Sequence, residues 1–570
     1  MSESSTASLE KPWAKTAARI GWAVLILATL YVCYFSHLGA IGFVGPDEPR
    51  YAWIARDMAE TGDWVTPRLY GKPWFEKPPL YYWGAAISFK VFGVSEAAAR
   101  LPSAISALLA TLALAWLALR MYGAETARWL LLLLPTTLGM IGFSHAAATD
   151  MPFSGMLTIA MVCAAVVLCL VPGGAAGVSP ASKDSSTPWI ALVLFGFFLG
   201  LAVLAKGPAG IILCGGAVFF WAIFTKRWHD AFRLLHPAAI GAFCVTALPW
   251  YILCARRNPD FFRIFIIEHN FKRFLTPEFQ HTQPFWFYVP IFMLALLPWT
   301  AVPLWSAITT AIEYRRTRKF DPLALLFWMS AAFCLLFFSI SKSKLPGYIL
   351  PAIPASIFAM SDSVVRAWSC SRRSLGYSLC GSGLLLFTLG ILLGRHLLHP
   401  SRTDSFDQTG IAVLLLLLGV AALLVPCGFG FYGRIGPVGS KVVVALSVLW
   451  IIVPLYFFAR RPLTFIDRDN SNRYLSRRIL SRNLASEVYT YKVNRAWGYG
   501  LSFYLHRDVQ EMPDSPSAGT YVVTSIEETA KLQRKGFSLQ LIEFGRSGNT
   551  RQNLSLYRIT AARPSGLASP

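Results

Sequence analysis

The chain reads as a polytopic α-helical membrane protein that ends in a small α/β domain. Of its 570 residues, 55% are hydrophobic and only 14% charged. Together with a mean hydropathy of +0.49, this is too apolar for a large soluble globule. Apolar runs near the roughly 20 residues that a hydrocarbon core about 30 Å thick requires recur from Ile20 to Phe458, and the short alternating segments of an outer-membrane barrel are missing from the sequence. After Ala459 the composition turns to that of a soluble fold.

The formal charge of +22 comes from bases scattered over the loops, with no long basic tract. Anionic lipid or phosphate is therefore the expected partner, and nucleic acid is not. The ten cysteines, Cys33 to Cys427, lie in or beside apolar runs and read as small buried hydrophobes without zinc spacing. The first apolar run follows a polar stretch, Ser2 to Lys15, and no small-residue cleavage site follows it. It is expected to stay as a helix, and no lipidation motif of the usual kinds is seen.

Uninterrupted apolar runs mark thirteen spans, at 20–37, 103–119, 129–148, 153–171, 189–205, 207–225, 236–254, 284–312, 322–341, 346–361, 375–394, 409–430 and 442–459. Leu80 to Phe92 is apolar too, but it is short and carries Lys90, so an amphipathic, juxtamembrane position is expected for it. With the N-terminus cytoplasmic, the loops holding Arg120 and Arg128, Lys226, Arg227 and Arg233, Arg315 to Lys319, Arg372 and Arg373, and Arg434 and Lys441 fall inside, following the positive-inside pattern. The opposite face also holds bases, among them Arg256, Arg257, Lys272, Arg273, Lys342 and Lys344. On that opposite side the same parity gathers the first long loop (38–102), the Asp150 connection, the Lys206 turn, the loop 255–283, the turn 341–345 and the C-terminal region. The spans contain no Asp, Glu, Lys or Arg, and none reads as discontinuous, which argues against an ion-coupled transporter.

A division at 459/460 separates a membrane-embedded domain, 1–459, in which the chemistry is expected, from a soluble α/β domain, 460–570. In the latter, Val488 to Tyr491, Tyr521 to Thr524, Phe537 to Phe544 and Leu554 to Ile559 alternate like strands, and Ile526 to Lys535 reads as a helix. It carries no cofactor fingerprint. Pro172 to Ser186, rich in Gly, Ala and Ser, reads as a flexible loop.

The chemistry is expected in Pro46 to Leu80, a polar segment dense in acids, bases and prolines directly after the first span. Asp47 follows a Gly-Pro turn where a carboxylate can face an interfacial cavity, and it is the first candidate acid. Glu48 beside it reads as a solvated loop acid. Asp150 sits in a four-residue connection, where it can act chemically, begin the next helix beside Pro152, or do both. Lys77, Lys206, Lys342 and Lys344 stand at turns on the same face, and positive groups so placed can cradle phosphate. Each alone is also explained by an ion pair or by snorkelling; their coincidence on one face favours the functional reading. Glu76 and His269 could take a divalent ion, although two candidates do not define a metal site.

Asp47-Glu48-Pro49-Arg50-Tyr51, Gly62-Asp63-Trp64-Val65-Thr66-Pro67, Phe75-Glu76-Lys77-Pro78-Pro79-Leu80, Ala99-Arg100-Leu101-Pro102-Ser103, Thr149-Asp150-Met151-Pro152, Lys206-Gly207-Pro208 and Lys342 to Pro351 together resemble, in order, the motif series of the aminoarabinose transferase group. These are GT-C glycosyltransferases related to protein O-mannosyltransferases, and the Phe-Glu-Lys-Pro-Pro element favours the aminoarabinose branch. The resemblance covers about Gly45 to Pro354. It implies an inverting, inner-membrane enzyme with a periplasmic site, an undecaprenyl-phosphate sugar donor, lipid A as acceptor, and resistance to polymyxin and cationic peptides. Thirteen spans fit that family.

On this reading Asp47 and Asp150 are catalytic, and Arg50, Lys77, Lys206, Lys342, Lys344 and Arg273 hold donor or acceptor phosphate. Tyr51, Tyr81, Tyr82 and Tyr348 line the sugar site or lipid groove, unless they are interfacial belt aromatics. No cofactor is required, a divalent metal being optional, and a monomer is expected. Two alternatives stay open: a GT-C transferase with another polyprenyl-phosphate sugar and a protein or glycan acceptor, and a lipid transporter.

Overall fold

The computed structural model describes residues 12–168, 170, 188–272, 283–370, 373–397, 408–430, 436–457, 467, 471–545 and 554–562. The chain begins with α1 (Pro12–Tyr34), α2 (Asp47–Thr61), a hairpin of β1 (Arg68–Leu69) and β2 (Lys72–Pro73), α3 (Leu80–Phe92) and α4 (Glu96–Tyr122). Next come α5 (Ala124–Leu133), α6 (Leu138–Ser144), α7 (Asp150–Val167), α8 (Trp189–Lys206), α9 (Ala209–Thr225), α10 (Trp228–Phe232) and α11 (Pro237–Arg257). A second group of helices is α12 (Tyr288–Ala295), α13 (Ala301–Thr317), α14 (Pro322–Ile340), α15 (Ala352–Ser369), α16 (Arg373–Leu397), α17 (Gln408–Gly430) and α18 (Gly436–Phe457). The C-terminal part holds α19 (Arg473–Ser481), β3 (Val488–Thr490), α20 (Arg495–Leu505), β4 (Tyr521–Ser525), α21 (Ile526–Arg534), β5 (Phe537–Phe544) and β6 (Leu554–Ala562).

Each of the thirteen apolar runs contains a helix or a broken helix. Among the described residues eight helices are long and apolar enough to cross a bilayer, and nine if α5 and α6 form one bent span. Small residues bring neighbouring helices together where dispersion, not water exclusion, drives packing. At Gly196 on α8 a Cβ would lie 2.0 Å from the Ala239 carbonyl on α11, so only hydrogen fits there.

Two runs that read as continuous are interrupted. The axes of α5 and α6 meet at 64° across Pro135, and the run 284–312 breaks between α12 and α13 around Pro298, because proline cannot donate to the preceding turn. The breaks satisfy each other: Leu138 N donates to Leu297 O at 2.8 Å, and the Trp299 indole donates to the Thr136 hydroxyl at 3.0 Å. Freed backbone groups find protein partners, as a low-dielectric surrounding demands. The expectation of no discontinuous element is thus corrected.

A second difference concerns Pro102, expected to precede a span. Here α4 starts seven residues earlier than the expected 103, at Glu96, with the Ser95 hydroxyl accepting from Ala98 N at 3.2 Å. The cap outweighs the proline, and the added turns carry Arg100 inward.

The C-terminal sheet has the order β3-β4-β6-β5, with β3 parallel to β4 and the other pairs antiparallel. All four strands and α21 lie where alternation places them; α19 and α20 are additional. This region is bound to the first loop. Arg473 donates to Gly39 O at 2.9 Å and Ala40 O at 2.7 Å, while Asp467 accepts from Gly42 N at 2.6 Å. The Tyr504 hydroxyl accepts from Phe43 N and donates to Glu96, each at 2.9 Å.

Candidate functional site

Asp47, Glu48 and Arg50 occupy the first turn of α2, and the 100° step of a helix sends them in different directions. Glu48 turns inward and is not a solvated loop acid. Its side chain accepts from Arg100 at 3.0 and 2.8 Å, from Val44 N at 2.8 Å and from Ala147 N at 2.7 Å. Arg100 uses its remaining donors on the carbonyls of Leu38, Ile41 and Gly42, at 2.7, 2.7 and 2.9 Å. All five guanidinium N–H groups are therefore used, which is what allows a charge only 1% exposed to stay buried. This pair fixes the start of α2.

Asp47 faces the other way, its side chain 48% exposed, and Arg50 at i+3 donates to it at 2.5 Å. Arg50 also pairs with Glu76 at 3.0 Å. Although the side chain is half-exposed, the protein packed around the Asp47 carboxyl strips it of water and pushes it above the ordinary aspartate range; Arg50 and Lys77 oppose this, and Glu76 and Asp150 reinforce it. Burial pulls the Arg50 guanidinium down, but Tyr51, Glu76 and Asp47 outweigh it and hold it firmly charged. Its carbon lies 5.0 Å from the Tyr51 ring centre, 5.5 Å from Trp74 and 5.8 Å from Tyr499.

The second half of the site comes from helix ends. Asp150 opens α7 and forms an ion pair with Lys206, the last residue of α8. Lys206 sits 4.5 Å from the centre of the Tyr348 ring. Gly347 presses on the acid: a Cβ there would stand 2.6 Å from the Asp150 Oδ1. The Pro346-Gly347-Tyr348 turn thus closes over the pair with no side chain at its centre.

Asp47, Arg50 and Glu76 thus form one charged cluster and Asp150, Lys206 and Tyr348 a second, and Lys77 and Asp150 both act electrostatically on Asp47. Tyr51, Tyr81 and Tyr82 are almost wholly buried. They pack against one another at 5.9 to 6.1 Å between α2 and α3, so all three belong to the aromatic packing between the two helices, with Tyr82 acting electrostatically on Asp47, Arg50 and Glu76. Lys344 turns inward and donates to Gln283 O at 3.1 Å and Ser341 O at 2.5 Å. Burial, then Lys342, pulls its pKa down. Lys342 itself is exposed. Arg273 lies outside the described residues, as does the side chain of His269. Glu76 is engaged with Arg50, and no group of three or more metal-ligating side chains occurs among the described residues.

Sequence reading missed the Glu48–Arg100 pair and Tyr499. Arg100 stood within a quoted motif, and an arginine in the opening turns of an apolar helix is itself a signal of a buried partner. Tyr499 had no comparable signal, because it lies some 450 residues from Arg50 in a region without a motif.

Helices α1 to α18, with acids and bases collected from their ends and from the first loop, have the fold of the GT-C membrane glycosyltransferases. ArnT from Cupriavidus metallidurans, solved bound to undecaprenyl phosphate, superposes with a TM-score of 0.75 at 23% identity, covering 96% of this chain and 99% of that one. The Archaeoglobus fulgidus oligosaccharyltransferase is a more distant neighbour, with a TM-score of 0.50 at 13% identity, covering 91% of this chain and 71% of that one. Residues 21–265 match the family described as dolichyl-phosphate-mannose-protein mannosyltransferase.

Among curated relatives, the undecaprenyl phosphate-alpha-4-amino-4-deoxy-L-arabinose arabinosyl transferase of Pseudomonas aeruginosa (strain UCBPP-PA14) is 30% identical over 70% of this chain and 69% of its own length. The enzyme of that name from Enterobacter sp. (strain 638) is 29% identical over 81% of each chain. For Edwardsiella ictaluri the identity is 32%, over 61% of this chain and 60% of the relative. The chain belongs to this arabinosyl transferase family, whose members are polyprenyl-phosphate-dependent glycosyltransferases.

Proposed function

We propose that the chain moves 4-amino-4-deoxy-L-arabinose from undecaprenyl phosphate to a lipid A phosphate at the periplasmic face of the bacterial inner membrane, conferring resistance to polymyxin and cationic peptides. Family membership supports the donor and the reaction class. The observation that carries the reading is the pair of charged clusters, Asp47–Arg50–Glu76 and Asp150–Lys206, drawn from segments far apart in sequence and coupled electrostatically through Asp47 and Asp150. In this reading the N-terminus is cytoplasmic, the C-terminal domain, 460–570, is periplasmic, and the protein acts as a monomer.

The reaction is a displacement at the anomeric carbon. An acceptor phosphate oxygen forms the new C–O bond, the bond from that carbon to the undecaprenyl phosphate oxygen breaks, and the electron pair leaves with the carrier phosphate. Configuration inverts. The acceptor oxygen is already anionic, so positioning matters more than proton removal. Asp47 orients the acceptor. Arg50 and Lys77 offset charge on the phosphates. Lys206 holds Asp150 in place and, through its remaining donors, reaches the carrier phosphate. Tyr348 borders the sugar.

The test is transfer by the purified full chain in detergent, with undecaprenyl-phosphate aminoarabinose as donor and lipid A as acceptor, followed by mass spectrometry. A pentosamine increment on lipid A is expected from wild type and not from Asp47→Asn. Consumption of donor with no change in lipid A would redirect the acceptor to protein or another glycan.

A further inference from the structure

Four aromatic residues stand on the side of Arg50 formed by the β1–β2 hairpin and α20, and the reaction as drawn uses none of them. Tyr499 on α20 and Trp74 just after β2 face the guanidinium at 5.8 and 5.5 Å. Tyr70 lies 6.3 Å from the Tyr499 ring and 5.0 Å from Trp53. Unlike Tyr51, which is buried, Tyr70, Trp74 and Tyr499 keep part of their surface open.

Tyr70 is also held in an unfavourable backbone conformation. It sits at the hairpin tip with φ +54°, followed by Gly71 at φ +76°, between paired Leu69 and Lys72. Such a two-residue turn favours asparagine or glycine at its first position, and a bulky residue there is strained. The fold bears that strain with the aromatic ring placed between Trp53 and Tyr499, beside a phosphate-binding arginine. Strain of this kind points to a use for the side chain.

We infer that Tyr499, with Tyr70 and Trp74, forms an aromatic platform for the sugar ring that bears the acceptor phosphate, so that the C-terminal region selects the acceptor. The C–H face of a pyranose stacks on such rings while its phosphate meets Arg50. This inference rests on the transferase reading above. The donor is tied to a lipid chain and enters near the ends of α7 and α8, where Asp150 and Lys206 stand. The hairpin and α20 belong to polar segments outside the spans, so they meet the group that projects from the membrane.

The experiment compares wild type, Tyr499→Ala, Tyr499→Phe and Tyr70→Asn in detergent. The acceptor is a phosphorylated glucosamine disaccharide carrying short acyl chains, and a short alkyl phosphate serves as a competing inhibitor without a sugar. Tyr499→Ala and Tyr70→Asn should raise the acceptor KM about tenfold, while the donor KM and the alkyl phosphate inhibition constant change by less than about twofold. Tyr499→Phe should match wild type. Asparagine suits the turn at position 70, so this variant keeps the hairpin while removing the ring. An unchanged acceptor KM in both ring-removing variants, or donor and alkyl phosphate constants that rise with it, overturns the inference. A wild-type chain inactive on the disaccharide overturns the transferase reading, and this inference with it.

Discussion

Glu48 and Arg100 illustrate how two charges inside an apolar fold depend on complete hydrogen bonding. Removing one partner of such a pair typically costs about 3–5 kcal/mol. Arg100→Met should cost more than Glu48→Gln, because it also strands the carbonyls of Leu38, Ile41 and Gly42. Thermal unfolding in detergent measures this, and an Arg100→Met protein as stable as wild type would contradict the role. Asp47 behaves differently. Burial raises its pKa, and Glu76 adds to the rise, so the ionised form needed to orient the acceptor is lost on acidification at a higher pH than for an ordinary aspartate. Glu76→Gln removes one cause of the rise and leaves Arg50 to Asp47 alone. The acid limb of the pH–rate profile should then move to lower pH; a shift upward would oppose the assignment. Asp47 and Arg50 were each marked in the sequence but not as a pair, because their i,i+3 spacing brings them together only once 47–61 is a helix. The inward turn of Glu48 was not legible, since its partner lies 52 positions away and hydropathy does not reveal which of two adjacent acids a helix buries.

Helix ends do most of the positioning. Asp150 at the start of α7 and Lys206 at the end of α8 meet because the two helices run side by side, and Gly347 leaves room for the carboxylate. Gly347→Ala would push that carboxylate away from Lys206. Because a displacement near 1 Å at a reacting centre costs about 100-fold, kcat should fall by about that factor while the unfolding temperature in detergent barely moves. A kcat near wild type would show that the pair tolerates rearrangement. Short motifs with proline and glycine marked these ends in the sequence. The breaks at Pro135 and Pro298 escaped notice because their apolar composition continues through them, and composition does not register that Thr136 and Trp299 resolve the interruption by bonding to each other.

At the scale of the whole molecule, the C-terminal region is joined to the catalytic half through Arg473, Asp467 and Tyr504. Alternation located its strands, but long-range hydrogen bonds of this kind leave no periodic trace. Arg473→Ala should loosen the junction: limited proteolysis should release a C-terminal fragment faster, and transfer should weaken with it. Unchanged cleavage would mean that the remaining contacts suffice. The central claim, a lipid A aminosugar transferase built around Asp47, is tested most directly by mass spectrometry of lipid A from a host lacking its own enzyme. That host would carry wild type or Asp47→Asn at equal membrane levels, under conditions that induce envelope modification. A pentosamine increment with wild type and none with Asp47→Asn is the predicted result; identical lipid A in both strains would contradict it.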